Sequence, residues 1–331
     1  MDSNPDPWRL PYSNLPKVPE VRNLQDSPFF KAVFTITFGL ALLFFLVSIY
    51  ALFGPTHSAD FFVPSAVYFY IFLWMSPIFA VTILWINVIM IVLYCVFFAA
   101  LFYVGMRRWK GPAMDNPVIY YGAMGSFGLL MSLLITFIEM ALGVQIGGTS
   151  ITTGIEQHPY LAYSQLIYAP FVEELGFRIL PLGLFSLFLV ARTGGTLRDS
   201  LASFILPGLV RRKYGISLNK WDYTLIIATS VLFGIAHVYF GAWDPGKIVS
   251  AAFVGFILAL GFVKFGIFVD IPIHWFFNGF STAYFVYPPL YDSTLMALLW
   301  VLLSGALAFV FILIVLIERK RVRNVNTSIA P

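Results

Sequence analysis

The chain has 331 residues, a length that ordinarily suggests two soluble domains, yet 60% of them are hydrophobic and only 11% charged, against roughly 45–50% and about 25% in soluble globular proteins. Residues 62–106 form a run of forty-five without Asp, Glu, Lys or Arg, and a bilayer-spanning helix needs only about 20 apolar residues. A soluble globular protein is therefore excluded, and the one cysteine, Cys95, excludes an intrachain disulfide and a CxxC metal site.

In chain order, residues 1–28 hold six prolines and scattered charges with no apolar run, and they read as a polar tail rather than a signal peptide. A first span is predicted over about 29–54, ending at Gly54-Pro55. The long uncharged run then divides into an interfacial or re-entrant piece, 63–78, ending at Ser76-Pro77, and one crossing over about 80–106. Further spans fall near 117–143, 162–191, 223–243, 247–269, 271–289 and 294–317. Between the fourth and fifth lies a basic segment, 192–222, in which Leu197, Leu201, Phe204, Ile205 and Leu209 recur at helical spacing; it reads as a helix lying on an anionic inner leaflet. The chain closes on a basic tail, 319–331. The expected fold is all-α: a polytopic membrane protein of about eight transmembrane helices, with a membrane-embedded domain over 29–318.

The basic residues orient this arrangement. Placing residues 9, 17, 22, 31, 107, 108, 110, 192, 198, 211–213, 220, 264, 319–321 and 323 inside accounts for 18 of the 20 Lys and Arg. Lys247 alone falls outside, and Arg178 sits within a span. The positive charge thus follows membrane topology, so no nucleic-acid partner is expected. The expectation is a cell-membrane, multi-pass protein with both termini cytoplasmic and membrane lipids as neighbours.

Ionisable residues inside spans are expensive and are functional candidates by default. The fourth span carries Glu173, Glu174 and Arg178. On a helix Glu174 and Arg178 share a face and can pair, whereas Glu173 is rotated by about 100° and keeps no intrahelical cation, free to take a proton. A carboxyl group among Phe and Leu suits a base working near neutral pH. The fifth span carries Phe233 and His237 one turn apart, the ring limiting where the imidazole points. The seventh carries His274 and Asn278, again one turn apart, two N–H donors of the kind an oxyanion hole needs. His57, His158, Glu139, Asp244, Lys264 and Asp270 sit in turns or near span ends and are left out of the site.

Glu-Glu-x-x-x-Arg, then Phe-x-x-x-His, then His-x-x-x-Asn, in that order on separate spans over about residues 160–285, resemble the CAAX prenyl endopeptidase and bacteriocin-processing (CPBP, or Abi) family, whose best-known branch is the Ras-converting endopeptidases. The resemblance implies an eight-helix intramembrane endopeptidase. It implies Glu173 as general base holding the hydrolytic water with His237, Glu174 and Arg178 in support, and His274 with Asn278 stabilising the tetrahedral oxyanion. It further implies a peptide or protein substrate, with CAAX-type C-terminal processing of prenylated or otherwise membrane-associated chains as one form. The basic insertion 192–222 exceeds what the pattern requires.

Two alternatives stand beside this reading. Glu plus two His is a zinc ligand set, and the family has been described both as metalloprotease and as glutamate-dependent; with zinc, Glu173, His237 and His274 would be the ligands. Metal-free water activation is the expectation, because His274 pairs with Asn278 as donors, so no cofactor is expected. A transporter or proton relay also uses embedded Glu, His and Arg, but it predicts polar groups strung along the membrane depth and often an inverted repeat, and the sequence holds one cluster and no repeat.

Overall fold

The computed structural model describes residues 28–53, 60–107, 115–145, 147–148 and 158–280, with isolated helical positions between 312 and 320. Its order is α1 (Pro28–Phe53), a hairpin of β1 (Pro64–Ile71) and β2 (Trp74–Thr82), α2 (Ile83–Arg107), α3 (Pro117–Ala141) and α4 (Pro159–Glu174). α4 runs on through a π-helical stretch, Leu175–Gly183, into α5 (Leu184–Arg192). Then follow α6 (Leu197–Ile205), α7 (Pro207–Lys213), α8 (Lys220–Tyr239), α9 (Lys247–Phe265) and α10 (Ile267–Trp275), which continues as a π-helical stretch, Phe276–Phe280. The helical architecture agrees with the sequence. Among the described residues six helices are long and apolar enough to cross a membrane, namely α1, α2, α3, the continuous α4–α5, α8 and α9. The predicted span 294–317 and the end of 271–289 lie outside the described residues, as do both tails, apart from single helical positions.

The outer faces of these helices are as apolar as the inner ones. Trp85, Ile89, Val92 and Val96 on α2, and Tyr223, Ile227 and Val231 on α8, recur every three or four residues and are exposed, the stripe a helix shows to lipid. Inside, Trp275 of α10 stacks on Tyr94 of α2 at 4.0 Å and meets Phe98 and Phe45 edge-on at 5.5 and 5.6 Å. The Tyr94 hydroxyl in turn donates to the Ile167 carbonyl of α4 at 2.8 Å. α8 and α9 approach most closely where Gly234 lies under the Ile248 carbonyl; a Cβ there would stand 2.3 Å from that oxygen, the small-residue contact of membrane helices. Caps are local: Asn116 accepts from the Val118 and Ile119 amides ahead of α3, and Asn219 with Asp222 forms a capping box on α8.

Two segments differ from the sequence reading. The piece at 63–78 is an antiparallel hairpin extending to Thr82, with a register shift at Val67/Tyr68. It packs along α4 and the π stretch, where the Tyr68 amide donates to the Tyr168 hydroxyl at 3.1 Å and that hydroxyl donates to the Tyr68 carbonyl at 2.9 Å. Its turn puts Phe72 at φ 51°, an unusual conformation for a bulky residue, and the Phe72 ring meets Phe177 edge-on at 6.0 Å. Gly176 makes the approach possible, since a Cβ there would stand 2.3 Å from the Tyr70 carbonyl oxygen.

The basic segment is two short helices broken at Pro207, not one surface-lying helix, because proline offers no N–H to continue the ladder. Much of its charge is spent inside the protein. Arg211 forms a buried two-pronged pair with Asp222 at 2.7 and 2.8 Å, Arg212 donates to the carbonyls of Gly208 and Lys264, and Lys213 pairs with Asp199 at 2.8 Å. Bonds from Lys213 and the Tyr214 hydroxyl hold the Asp199 carboxyl down at about 2, so it stays ionised at neutral pH.

Asp222→Ala should strand the buried Arg211 guanidinium and cost roughly 3–5 kcal/mol, whereas Lys213→Ala, which breaks a half-exposed pair, should cost about 1 kcal/mol or less; reversible unfolding in detergent measures both. Gly176→Val should force the hairpin off the π stretch and cost about 1–3 kcal/mol by the same measurement.

Candidate active site

The site is centred on one carboxylate. Glu174 is fully buried on the last turn of α4. Its Oε1 accepts from Arg178 Nη1 at 3.0 Å and from His274 Nδ1 at 2.5 Å. The first contact is the pairing that the four-residue spacing predicts; the second comes from α10, across the bundle. Arg178, also fully buried, donates through Nη2 to the Gly255 carbonyl of α9 at 3.3 Å and lies over the Phe233 ring of α8 at 4.1 Å. Glu174 and Arg178 therefore tie α4, α8, α9 and α10 together. Gly255 leaves room for the guanidinium, since a Cβ there would come within 3.1 Å of it and oblige Arg178 to give way.

Glu173 differs from its neighbour. Its side chain is 21% exposed, against 0% for Glu174 and Arg178. Its Oε2 lies 3.4 Å from His274 Nε2, within ion-pair range but without a hydrogen bond. His274 thus stands between the two carboxylates, one ring nitrogen facing each. Its orientation is fixed from behind, because the neighbouring Trp275 is locked against Tyr94, about 100° round the helix.

His237 is held by its own helix. Its Nδ1 lies 2.8 Å from the Phe233 carbonyl. A carbonyl can only accept, so Nδ1 carries the proton and a neutral ring keeps its lone pair on Nε2. Phe233 meets His237 edge-on at 4.6 Å and His274 at 5.6 Å; this one ring separates the two imidazoles and also carries the guanidinium.

The structure accordingly brings Glu173, Glu174, Arg178, Phe233, His237 and His274 into one cluster. The side-by-side donor pair expected of His274 and Asn278 is not what the geometry presents: His274 turns to the carboxylates, and Asn278 Nδ2 donates to the Leu166 carbonyl at 3.1 Å. The cause lies in the partners each side chain finds on α4: both ring nitrogens of His274 face the glutamates, while the Asn278 amide reaches the Leu166 carbonyl. Of the alternative zinc set, Glu173, His237 and His274, the finding is that among the described residues no three His, Cys, Asp or Glu side chains gather as metal ligands.

Three contributors were not legible as site residues. The Gly255 carbonyl and the hairpin strand carry no motif. Asp270, set aside as a span-end residue, is fully buried beside Glu174; its signal was the spacing Asp270-x-x-x-His274, the same one-turn rule that picked out the other pairs.

Residues 156–280 match the family model described as type II CAAX prenyl endopeptidase Rce1-like, and the match takes in every cluster residue named above. No curated protein and no solved structure matches the chain. Over this segment the chain is similar to the type II CAAX prenyl endopeptidases, which are peptidases.

Proposed function

We propose that Glu173 is the general base of a metal-free intramembrane endopeptidase. The observation that carries this reading is the asymmetry of the adjacent carboxylates. Glu174 is sealed and spends one oxygen on Arg178 and His274, while Glu173 is partly open and its Oε2 accepts no hydrogen bond. A reacting water needs a base that is not already neutralised, and of the two adjacent carboxylates Glu173 offers one. His237, with Nδ1 bound to Phe233, presents Nε2 as an acceptor for the same water.

In the proposed sequence Glu173 takes a proton from water as its oxygen attacks the scissile carbonyl carbon. The C–O bond forms, the carbonyl electrons move to oxygen, and Asn278, its carboxamide plane set by Leu166, donates toward the oxyanion. Collapse breaks the C–N bond, and Glu173 passes its proton to the leaving amine. His274 orients Glu173 while Glu174 and Arg178 hold His274. The donor geometry supports water activation without zinc, since both nitrogens of His274 face carboxylate oxygens rather than a common point with His237.

The proposed substrate is a peptide segment of a membrane-associated protein, with CAAX-type C-terminal processing of a prenylated chain as its specific form. The proposed placement is the cell membrane with both termini cytoplasmic, supported by the distribution of Lys and Arg. The gathering of ionisable groups into one cluster, rather than along the membrane depth, speaks against a proton relay.

Glu173→Gln should abolish peptide cleavage in detergent while the melting temperature is kept, and His237→Ala should lower kcat by roughly 10²–10⁴-fold; full activity in Glu173→Gln would sink the assignment. Activity should persist after thorough chelation with no stoichiometric zinc in the purified protein, whereas one equivalent of zinc lost and regained together with activity would overturn the metal-free mechanism. Arg178→Ala should act on stability as well as rate, because it strands Glu174, by roughly 3–5 kcal/mol, read from unfolding in detergent.

A further inference from the structure

Asp270 is the one fully buried carboxyl in this cluster that the mechanism above does not use. It lies in the first turn of α10, one turn before His274 and on the same face. An acid in a first turn ordinarily caps amides or complements the helix dipole. That account fails here, because neither Asp270 oxygen accepts from any N–H. The groups facing Asp270 are Glu174 from α4, Arg178 from the π stretch and Tyr120 from α3, with His274 on its own helix. Of these, Glu174 is close enough for a carboxyl–carboxylate hydrogen bond. Glu174 Oε2 is the complementary orphan: it too meets no donor from any other residue. Two acceptors in contact, away from water, require a proton between them. Glu174 already receives charged or polar donors from Arg178 and His274 on its other oxygen, and Asp270 receives none. The proton therefore belongs to Asp270.

We propose that Asp270 is a positioning residue of this site: its carboxyl O–H donates to Glu174 Oε2, fixes the carboxylate plane, and through Glu174 Oε1 sets the ring of His274 against Glu173. The proposal rests on the peptidase reading above. It makes the supporting layer a chain, Asp270 to Glu174 to His274 to Glu173, that begins and ends near the same face of α10. It also accounts for a buried carboxyl group set against the Glu174–Arg178 pair, since that carboxyl is neutral and acts as a donor.

The test compares two substitutions of similar shape in the full-length protein, assayed by peptide cleavage and by melting in detergent. Asp270→Asn keeps an N–H donor for Glu174 Oε2 and should hold kcat within about tenfold of the parent. Asp270→Leu removes the donor and should lower kcat about ten- to hundredfold further with KM unchanged, the scale on which outer hydrogen-bond partners of reactive groups act. A kcat for Asp270→Leu equal to that of the parent, or equal losses in Asp270→Leu and Asp270→Asn, would overturn the proposal. Should Asp270→Leu fail to fold, Asp270→Ser, which keeps a donor, and Asp270→Ala, which does not, carry the same comparison. Glu173→Gln is run alongside: if it stays active, the peptidase reading fails, whereas if it is dead and Asp270→Leu is not, only the role of Asp270 fails.

Discussion

A carboxylate sealed from water survives only if the protein itself supplies its donors. Glu174 is such a group, and much of the bundle is arranged around it. The guanidinium that neutralises it comes from the next turn of the same helix, and the imidazole that shares its Oε1 comes from α10. Arg178 then needs its own partners, which the Gly255 carbonyl and the Phe233 ring provide from two further helices. Each partner demands something of the sequence near it: no side chain at Gly255, a flat ring at Phe233, a locked Trp275 behind His274. A buried ion pair contributes little net stability, so its retention is better understood as fixing which helices meet and at what rotation.

The division of labour between adjacent glutamates follows from that arrangement. Consecutive residues on a helix differ by about 100°, so one carboxylate can be committed to structure while the next stays partly open. The π stretch that begins at Leu175 belongs to the same design. Extra residues inserted into a helix are frequent at functional sites, and Pro181, unable to donate an amide, helps to keep this one open.

The sequence made the pairwise relations legible because they are local. Glu174 with Arg178 and Phe233 with His237 are one-turn pairs, and α-helical spacing is enough to place them. Spacing alone does not say which partners a side chain finds across the bundle: His274 turns to the glutamates and Asn278 to the Leu166 carbonyl. Asp270 obeyed the rule and was set aside only because its position near a span end offered a simpler explanation. The hairpin was missed for a different reason. Its strands are aromatic and apolar on both faces, so composition marks them as membrane material without showing that their backbone bonds are made between strands. In the basic segment composition shows charge but not its partners: Arg211, Arg212 and Lys213 all bond within the protein.

The fastening of the hairpin has a consequence for traffic through the site. Tyr168 and Gly176 bracket the glutamates, and the strand is held at both, by the two hydrogen bonds between Tyr68 and the Tyr168 hydroxyl and by the Tyr70 backbone lying on Gly176. Away from water, a strand that let go would leave the Tyr68 amide and carbonyl without their partner, at several kcal/mol each. The hairpin is then a fence and not a door.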